Sequence, residues 1–514
     1  MKKYLSILLA MLCVFGFAAS AFAMHADIPS ETTAAIAQGS TQITLSGQIR
    51  ARYNWQHTGF NSNDSQAEAT YMDERIRLGV LAVMSPNTTG FIELSSEADP
   101  ASSGTASYDN MYGGSGGTGV GGSGKSDSYG LAGGVGNELK GTVSIRNMWI
   151  LYKGTGLLGV ESGIKVGHMP MSLGSGLFFD HTYFGDDGII AYVFPVKELE
   201  VAGVVNIAEV DGINNPPLGS ALTTSLSNKA TGYVLLANYK PSKTTSISGD
   251  VTFFNVQNVG ETTTTTNDFG SIHLWNFALR GNTEVSGVRL KIDGELQTGD
   301  FLTSFTPNTH VTVPATTMHG YAVQGGIGYT VDPVMLDVEV GYGSGDSGKN
   351  STKANSFYTA EGPESTFGDP NRYSHGVQGP YVYNYRTVNA TNIQYGGLSN
   401  TMYVRLGGNA DLTKGLNFDA AFFFLQAANA ITASNVNLYG FSASNVAAAG
   451  YKASHDIGEE IDAKLTYKLD KGLQTWVEGG YLWAGDFWKA VSTVTPGQKP
   501  SNCYTARTGI QFDF

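Results

Sequence analysis

The sequence has few charged residues and almost no cysteine. Charged residues make up only 15% of the 514-residue chain, and there are two cysteines. Cys13 falls within the N-terminal leader described below, so the mature chain keeps Cys503 alone and no intramolecular disulfide framework is expected. No C-x-x-C-H motif occurs, which excludes covalently attached c-type haem.

Long apolar runs are absent beyond the leader, where no segment approaches the roughly 20 residues of a membrane helix. The leader itself has Lys2 and Lys3, an apolar stretch over residues 4–17 and a small-x-small site ending at Ala23. This arrangement predicts a cleaved signal peptide over residues 1–23. Any membrane crossing by the mature chain must therefore use tilted, alternating strands of roughly 9 to 11 residues.

Motifs for nucleic acid binding and catalysis are also lacking. The formal net charge is −13 and no basic stripe with interleaved aromatics occurs, so we expect no nucleic acid partner. The nine histidines are scattered, and neither a G-x-S-x-G elbow nor an ordered triad is present. We therefore expect no enzyme activity, no cofactor and no metal site, with an outer-membrane lipase or protease as the weaker alternative.

What the chain does contain is long alternating segments. It has 66 glycines, 26 tyrosines and 25 phenylalanines. In residues 41–56, apolar or small side chains alternate strictly with polar ones, over a run far longer than the usual globular strand of about 5 to 6 residues. The pattern recurs and predicts about eighteen strands between residues 41 and 514.

The predicted connections alternate between short and long. Short turns such as residues 85–88, 331–333 and 469–472 separate long polar segments such as 98–141 and 344–400. Outer-membrane barrels have short periplasmic turns and long outer loops. The fold class predicted is therefore all-β, a transmembrane antiparallel β-barrel over residues 41–514. Residues 24–40 show no strand pattern and are expected to form a flexible periplasmic lead.

The last strand carries a candidate assembly signal. Residues 504–514 alternate and end on an aromatic residue, where a barrel must pair its last strand with its first and leave no open edge in lipid. The residues that would form the signal are Arg507, Gly509, Phe512 and Phe514. We expect the barrel-assembly machinery to be a partner of this strand.

Assigning the polar faces inward gives a candidate pore lining with two walls. Adjacent strands at the barrel closure carry arginines, and strands about half the circumference away carry acids. The predicted lining residues are Arg50, Arg52, Arg75, Arg77, Arg507, Asp293, Glu295, Asp337 and Glu339. Such walls would create a transverse field that tunes ion preference, or they would form salt bridges that stabilise the barrel. Both interpretations stay open.

The third long-side connection, residues 172–187, is aromatic and acidic where the other loops are rich in glycine and serine. We expect it to fold into the barrel as a constriction, which would bury its aromatics and present its acids to the pore; packing beneath other outer loops is the alternative. Its candidate residues are Phe178, Phe179, Asp180, His181, Asp186 and Asp187.

These features together resemble Gram-negative outer-membrane porins. The residues that carry the resemblance are the leader, Gly-Gln-Ile-Arg-Ala-Arg-Tyr at 47–53, Lys-Val-Gly-His-Met-Pro-Met-Ser-Leu-Gly at 165–174 and the terminal Phe514. The strand number is similar to that of the eighteen-stranded maltoporin and alginate-export channels. The whole looks most like the OmpJ-like porins of metal-reducing bacteria. The acidic motif at the constriction-loop tip of enteric porins is not matched.

The resemblance implies an outer-membrane channel for passive diffusion of ions and small hydrophilic solutes. A substrate-specific or polysaccharide-export channel and the barrel sheath of an electron-transfer conduit are the alternatives. A receptor or adhesin acting through residues 344–400 is a further one. The implied partners are outer-membrane lipid and lipopolysaccharide and the transported solutes. The sequence leaves homotrimer and monomer open.

Overall fold

The fold is known from a computed structural model. It describes residues 34–38, 41–57, 60, 68–95, 144–156, 158–210, 228–259, 262–263, 266–267, 270–302, 316–350, 352–359, 380–383, 398–436, 441–491 and 494–514. The predicted signal peptide, residues 1–23, lies outside these ranges.

Eighteen antiparallel strands close into a single barrel, which confirms the predicted fold class. The strands are β1 (Thr41–His57), β2 (Glu68–Ser85), β3 (Thr88–Ser95), β4 (Ser144–Gly154), β5 (Ser162–Ser172), β6 (Asp180–Val196), β7 (Leu199–Val210), β8 (Asn228–Tyr239), β9 (Thr245–Val259), β10 (Gly270–Val285), β11 (Val288–Leu302), β12 (Tyr321–Val331), β13 (Val334–Gly343), β14 (Thr401–Thr413), β15 (Leu416–Ala427), β16 (Asp456–Asp470), β17 (Leu473–Ala484) and β18 (Cys503–Asp513). Each strand pairs with the next, and β18 pairs with β1.

The strands form because their side chains alternate between two environments. Outward positions are apolar and exposed, as at Leu235 and Leu279, whose side chains are 62% and 67% exposed. Inward positions are polar and buried, as at Arg50 and Arg75. A water-soluble protein has the reverse arrangement. This inversion is the one that a lipid-facing barrel with a polar interior requires.

The connections sort by side of the barrel, as the sequence predicted. On one side the strands join through short turns, including a two-residue β10–β11 hairpin in which Ser286 and Gly287 both have positive φ, 52° and 80°. On the other side lie the longer connections. The sequence analysis did not single out the β10–β11 turn or the β4–β5 turn at residues 155–161.

The barrel closes at the very end of the chain. Phe514 and Gly47 exchange two backbone hydrogen bonds: the Phe514 N–H donates to the Gly47 carbonyl at 2.9 Å, and the Gly47 N–H donates to the Phe514 backbone oxygen at 2.7 Å. Gly47 faces outward beneath the Phe514 ring, and a Cβ at this position would overlap that ring. Beyond Phe514 the edge of β1 would be open, but a short strand, Ala34–Gln38, pairs with residues 41–45. Residues 34–38 therefore do not belong to an unstructured lead, because the free edge of β1 offers them hydrogen-bonding partners.

A bulge sets the facing of the side chains in β4. The pairing with β3 shifts register between Ile145 and Asn147, so one extra residue, Arg146, enters the strand. Ile145 and Met148 then both face outward, and the Arg146 guanidinium turns inward to Glu93 at 2.8 Å. The bulge therefore keeps Arg146 out of the lipid.

The outer connections pack into an apolar cap over part of the barrel mouth. Phe60 stacks on Trp488 with ring centroids 4.2 Å apart, and Phe441 packs edge-on against Phe487 at 5.3 Å. The Trp488 indole N–H donates to the Ile457 carbonyl at 2.9 Å. Among the residues that the model describes, no helix is long and apolar enough to span a membrane. The apolar core of the described chain combines these connections with inward-facing strand residues such as Phe254 and Phe423.

The contact between Gly47 and Phe514 can be tested by a double-mutant cycle. We expect Gly47→Ala to destabilise the barrel by about 1–3 kcal/mol, because the new methyl group displaces the Phe514 ring. In a Phe514→Ala background the same substitution should cost much less. The free energy of unfolding in detergent is the measurement. Gly203→Ala, at an outward strand glycine with open space around it, is the control. Additive effects of the two substitutions would contradict this account of the seam.

Candidate functional site: the barrel lumen

Arginines line the lumen on both sides of the closure seam. Arg50 and Arg52 of β1, Arg75 and Arg77 of β2 and Arg507 of β18 all occupy inward positions; we call them the arginine wall. Arg50 lies directly opposite Arg75 in the β1–β2 pairing. Arg52 lies directly opposite Asp73 in the same pairing.

Carboxylates and amides contact this wall. Glu93 lies 2.8 Å from Arg146 and 4.0 Å from Arg77, so one acid serves two arginines. Glu478 of β17 lies 4.0 Å from Arg507. The Arg75 guanidinium donates to the Gln48 side chain, whose amide in turn donates to Asp513 at 2.9 Å.

Two of the predicted acids, Asp293 and Glu295, are bound to an arginine that the sequence analysis did not select. Arg280 of β10 lies 3.1 Å from Asp293 and 2.9 Å from Glu295, and it also pairs with Asp250. All four side chains are buried. Arg280 occupies an inward position of its strand, and this alternation was the signal that could have identified it.

The other two predicted acids are also compensated. Asp337 pairs with Arg405, and Glu339 pairs with Lys291 and accepts a hydrogen bond from the Tyr403 hydroxyl. The Gln324 amide donates to Glu339 at 3.1 Å. The predicted acidic wall is thus mixed in charge: Asp250, Asp293, Glu295, Asp337 and Glu339 share the three cations Arg280, Arg405 and Lys291, which weaken its field.

The third long-side connection folds into the lumen as the bent end of the β5–β6 hairpin. Gly174, with φ of +57°, packs against the Arg280 guanidinium where a Cβ would not fit. The Ser175 N–H donates to Asp293 at 3.0 Å. Phe178 is fully buried, with its ring edge-on to Phe254 of β9 at 6.5 Å. Residues 173–179 therefore narrow the lumen and are held to the opposite wall.

The boundary of the predicted constriction needs correction, because Asp180 already begins β6. Phe179 and Asp186 are buried, and Asp186 accepts a hydrogen bond from Asn206 at 3.2 Å. Asp187 points the other way, with its side chain 71% exposed and paired with His168 at 3.0 Å, since successive strand residues alternate in facing. The side chain of His181 lies outside the part of the chain that the model describes.

A second segment enters the lumen from the longest connection, between β13 and β14. The Tyr381 N–H donates to Asp462 at 2.9 Å, and the Tyr383 N–H donates to Glu460 at 2.8 Å, both carboxylates belonging to β16. Burial raises the pKa of the Tyr383 phenol to about 12. The Tyr381 ring centroid lies 5.2 Å from the Arg507 guanidinium. Sequence reasoning missed this segment, although Tyr-Val-Tyr within a polar loop was an available signal.

The lumen therefore offers positive charge and ion-pair networks to a solute. No group of three or more His, Cys, Asp or Glu side chains suited to a metal ion occurs among the described residues. Field lines concentrate inside a narrow opening with low-dielectric walls, so the arginine wall has its greatest effect on ions in transit.

Comparison with known families finds one match. The family model described as alginate export matches residues 224–499, slightly more than half of the chain. The matched region covers β8 to β17 and includes the Arg280 and Arg405 networks. The members of the arginine wall lie outside it.

Comparison with solved structures finds several barrels. OccK8 (OprE) of Pseudomonas aeruginosa is 11% identical, with 92% of this chain and 98% of that chain covered and a TM-score of 0.49. OpdK of the same species, solved with vanillate, is 10% identical at 91% and 98% coverage, with a TM-score of 0.47. A BenF-like porin from Pseudomonas fluorescens Pf-5 is 12% identical at 92% and 98% coverage, also with a TM-score of 0.47. No curated protein matches the sequence.

The Arg280 network can be tested by removing its only described cation. We expect Arg280→Gln to destabilise the barrel by about 3–5 kcal/mol, because three buried carboxylates lose their counter-ion and residues 173–179 lose their anchor. The free energy of unfolding in detergent is the measurement. Arg289→Gln removes an ion pair with Glu284 that is partly exposed, and it should cost at most about 1 kcal/mol. Equal effects of the two substitutions would refute the assignment.

Proposed function

The chain belongs to the alginate-export family and is an outer-membrane β-barrel channel, and we propose that its arginine wall makes the channel selective for anions. The observation that carries the proposal is the placement of five arginines at inward positions on three adjacent strands. The predicted acids Asp293, Glu295, Asp337 and Glu339 form ion pairs with Arg280, Arg405 and Lys291.

The physical effect is a positive potential along one side of the conduit. A wall of guanidinium groups raises the local concentration of anions and disfavours cations, and it does so without slowing transport if each contact is weak. Guanidinium groups also match carboxylates in shape, because two parallel N–H groups face two oxygens. Small hydrophilic anions, including organic carboxylates, are therefore the solute class that we propose.

A linear polyuronate is the second candidate, and the family match favours it. Such a chain carries one carboxylate per sugar, and each carboxylate could move from one arginine of the wall to the next. The inward segments 173–179 and 380–383 occupy lumen space on two sides, which favours small solutes over a polymer. No catalytic step is needed in either case.

We also propose partners for assembly. Arg507, Gly509, Phe512 and Phe514 would form the strand that the barrel-assembly machinery recognises. On the outward face near the long loops, Trp55, Tyr481 and Tyr504 cluster with ring centroids 5.0–6.3 Å apart, a platform suited to the sugars of lipopolysaccharide. A homotrimer stays a prediction.

Selectivity is tested by the reversal potential of single channels under a KCl gradient. We expect the wild type to prefer chloride. Replacing Arg50, Arg52 and Arg75 together by Gln should lower the chloride preference several-fold, because the charge is removed where the field is strongest. The corresponding Lys variants, which keep the charge, should retain it.

The matched control removes three charges from the short turns, by Lys197→Gln, Lys243→Gln and Lys471→Gln. It should leave the reversal potential nearly unchanged, because exposed charges farther from the conduit than about a Debye length are screened. A wild-type channel that prefers potassium would refute the proposal. So would a reversal potential that shifts as much in the Lys197, Lys243 and Lys471 control as in the Arg50, Arg52 and Arg75 variant.

The second candidate is tested by adding oligouronates of increasing length to the conducting channel. Export of a polyuronate predicts that blocking events become longer as the oligomer grows, since each added carboxylate contributes another contact. Neutral maltodextrins of equal length serve as the control. Blocking that does not change beyond the dimer would leave the small-anion channel and exclude the polymer.

A further inference from the structure

A lysine and a tryptophan form an unusual pair on the lumen side of β4 and β5. The Lys165 Nζ lies 4.2 Å from the ring centroid of Trp149. Trp149 is only 8% exposed, and Phe91 of β3 packs against its indole at 5.5 Å. Along β4 the pair lies on the short-turn side of Arg146 and so follows the arginine wall on the path inward.

Neither polar group of this pair has a polar partner in the part of the chain that the model describes. The buried Trp149 Nε1 makes no hydrogen bond there, and Lys165 contacts no carboxylate there. A half-buried ammonium group without a counter-ion is costly, as is a buried donor without an acceptor. Two adjoining donors therefore face a position at which the described chain supplies no acceptor.

A second lysine–tryptophan pair in the same lumen shows what is missing. Lys464 lies 5.9 Å from the Trp476 ring centroid, and Glu478 supplies a carboxylate 3.8 Å from the Lys464 Nζ. The Trp476 Nε1 also makes no hydrogen bond in the described chain. The difference between the two pairs is thus the carboxylate, which the described residues provide at Lys464 and do not provide at Lys165.

We propose that Lys165 and Trp149 form a subsite for the carboxylate group of a transported solute. The solute's carboxylate would occupy the place that Glu478 takes beside Lys464, and the Trp149 indole N–H would donate to the same group. Hydrogen bonds between an ammonium group and a carboxylate are about twice as strong as neutral ones. The proposal rests on the anion-selective function above and narrows its solute class to organic carboxylates.

The arrangement gives the arginine wall and the subsite different tasks. The wall acts on any anion through its field, chloride included. The subsite adds hydrogen bonds of fixed direction, and an anion must lose bound water to form them. The subsite therefore distinguishes carboxylates from halides. Such a contact should appear as a measurable residence time in the ion current.

The test is the block of single-channel current by sodium glucuronate, with glucose as the neutral control. We expect glucuronate to interrupt the wild-type current and glucose to leave it unchanged. Lys165→Gln should raise the half-blocking glucuronate concentration about tenfold or more. Lys165→Arg should stay near the wild type, and Trp149→Phe, which keeps the ring and removes the N–H, should raise the concentration several-fold.

Trp476→Phe is the matched control, because it makes the same change beside a lysine that already has its carboxylate. Heat-modifiable migration of each variant verifies the folded barrel. Equal effects of Trp149→Phe and Trp476→Phe, or a glucuronate block that does not depend on Lys165, would overturn the subsite.

The reversal potential of the same channels separates the two proposals. Chloride preference with a Lys165-independent block would refute the subsite alone. Potassium preference with a Lys165-dependent block would refute anion selectivity by the arginine wall and still support the subsite.

Discussion

The rest of the structure depends on one constraint: in lipid, every backbone N–H and carbonyl group of a spanning strand must find its partner within the sheet. An open sheet would leave two unsatisfied edges, so the chain must close, and closure sorts the side chains into an outer apolar and an inner polar set. The hydrogen bonds between Gly47 and Phe514 and the short strand Ala34–Gln38 are the last steps in meeting this constraint. The bulge at Arg146 meets the same constraint locally, because it corrects the facing of one charged side chain without breaking the ladder.

Closure also determines the electrostatic interactions inside the lumen. Polar faces from many strands converge in a confined space, where charges interact strongly. Near Arg280 three buried carboxylates share one cation, and Asp337 and Glu339 pair with Arg405 and Lys291, so these ion pairs tie neighbouring strands together. Around the closure seam, inward arginines lie on three adjacent strands.

The alternation of side chains, the segregation of loop lengths and the aromatic C-terminus were enough to predict the barrel, because these are local patterns of period two. They also placed the acids Asp293 and Asp337 inside. They could not show that Arg280 and Arg405 bind those acids, since such pairs depend on the register between strands. Nor could they show that Asp187 faces outward or that residues 380–383 enter the lumen, because a bent hairpin and a long connection follow no simple period. Lys165 and Trp149 were overlooked because their contact across β4 and β5 depends on strand register, and the sequence alone does not show it.

The anchoring of residues 173–179 on Arg280 and Asp293 has a consequence for the order of assembly. The anchoring side chains lie on β10 and β11, whereas the hairpin end connects β5 and β6. Contacts between segments so far apart in the sequence form late. A partly assembled sheet that ends before β10 lacks Arg280 and Asp293, the two side chains that anchor this hairpin end. The narrow passage is therefore among the last features to form. A partly assembled barrel that admits ions before residues 173–179 are anchored would lack the size limit of the finished channel.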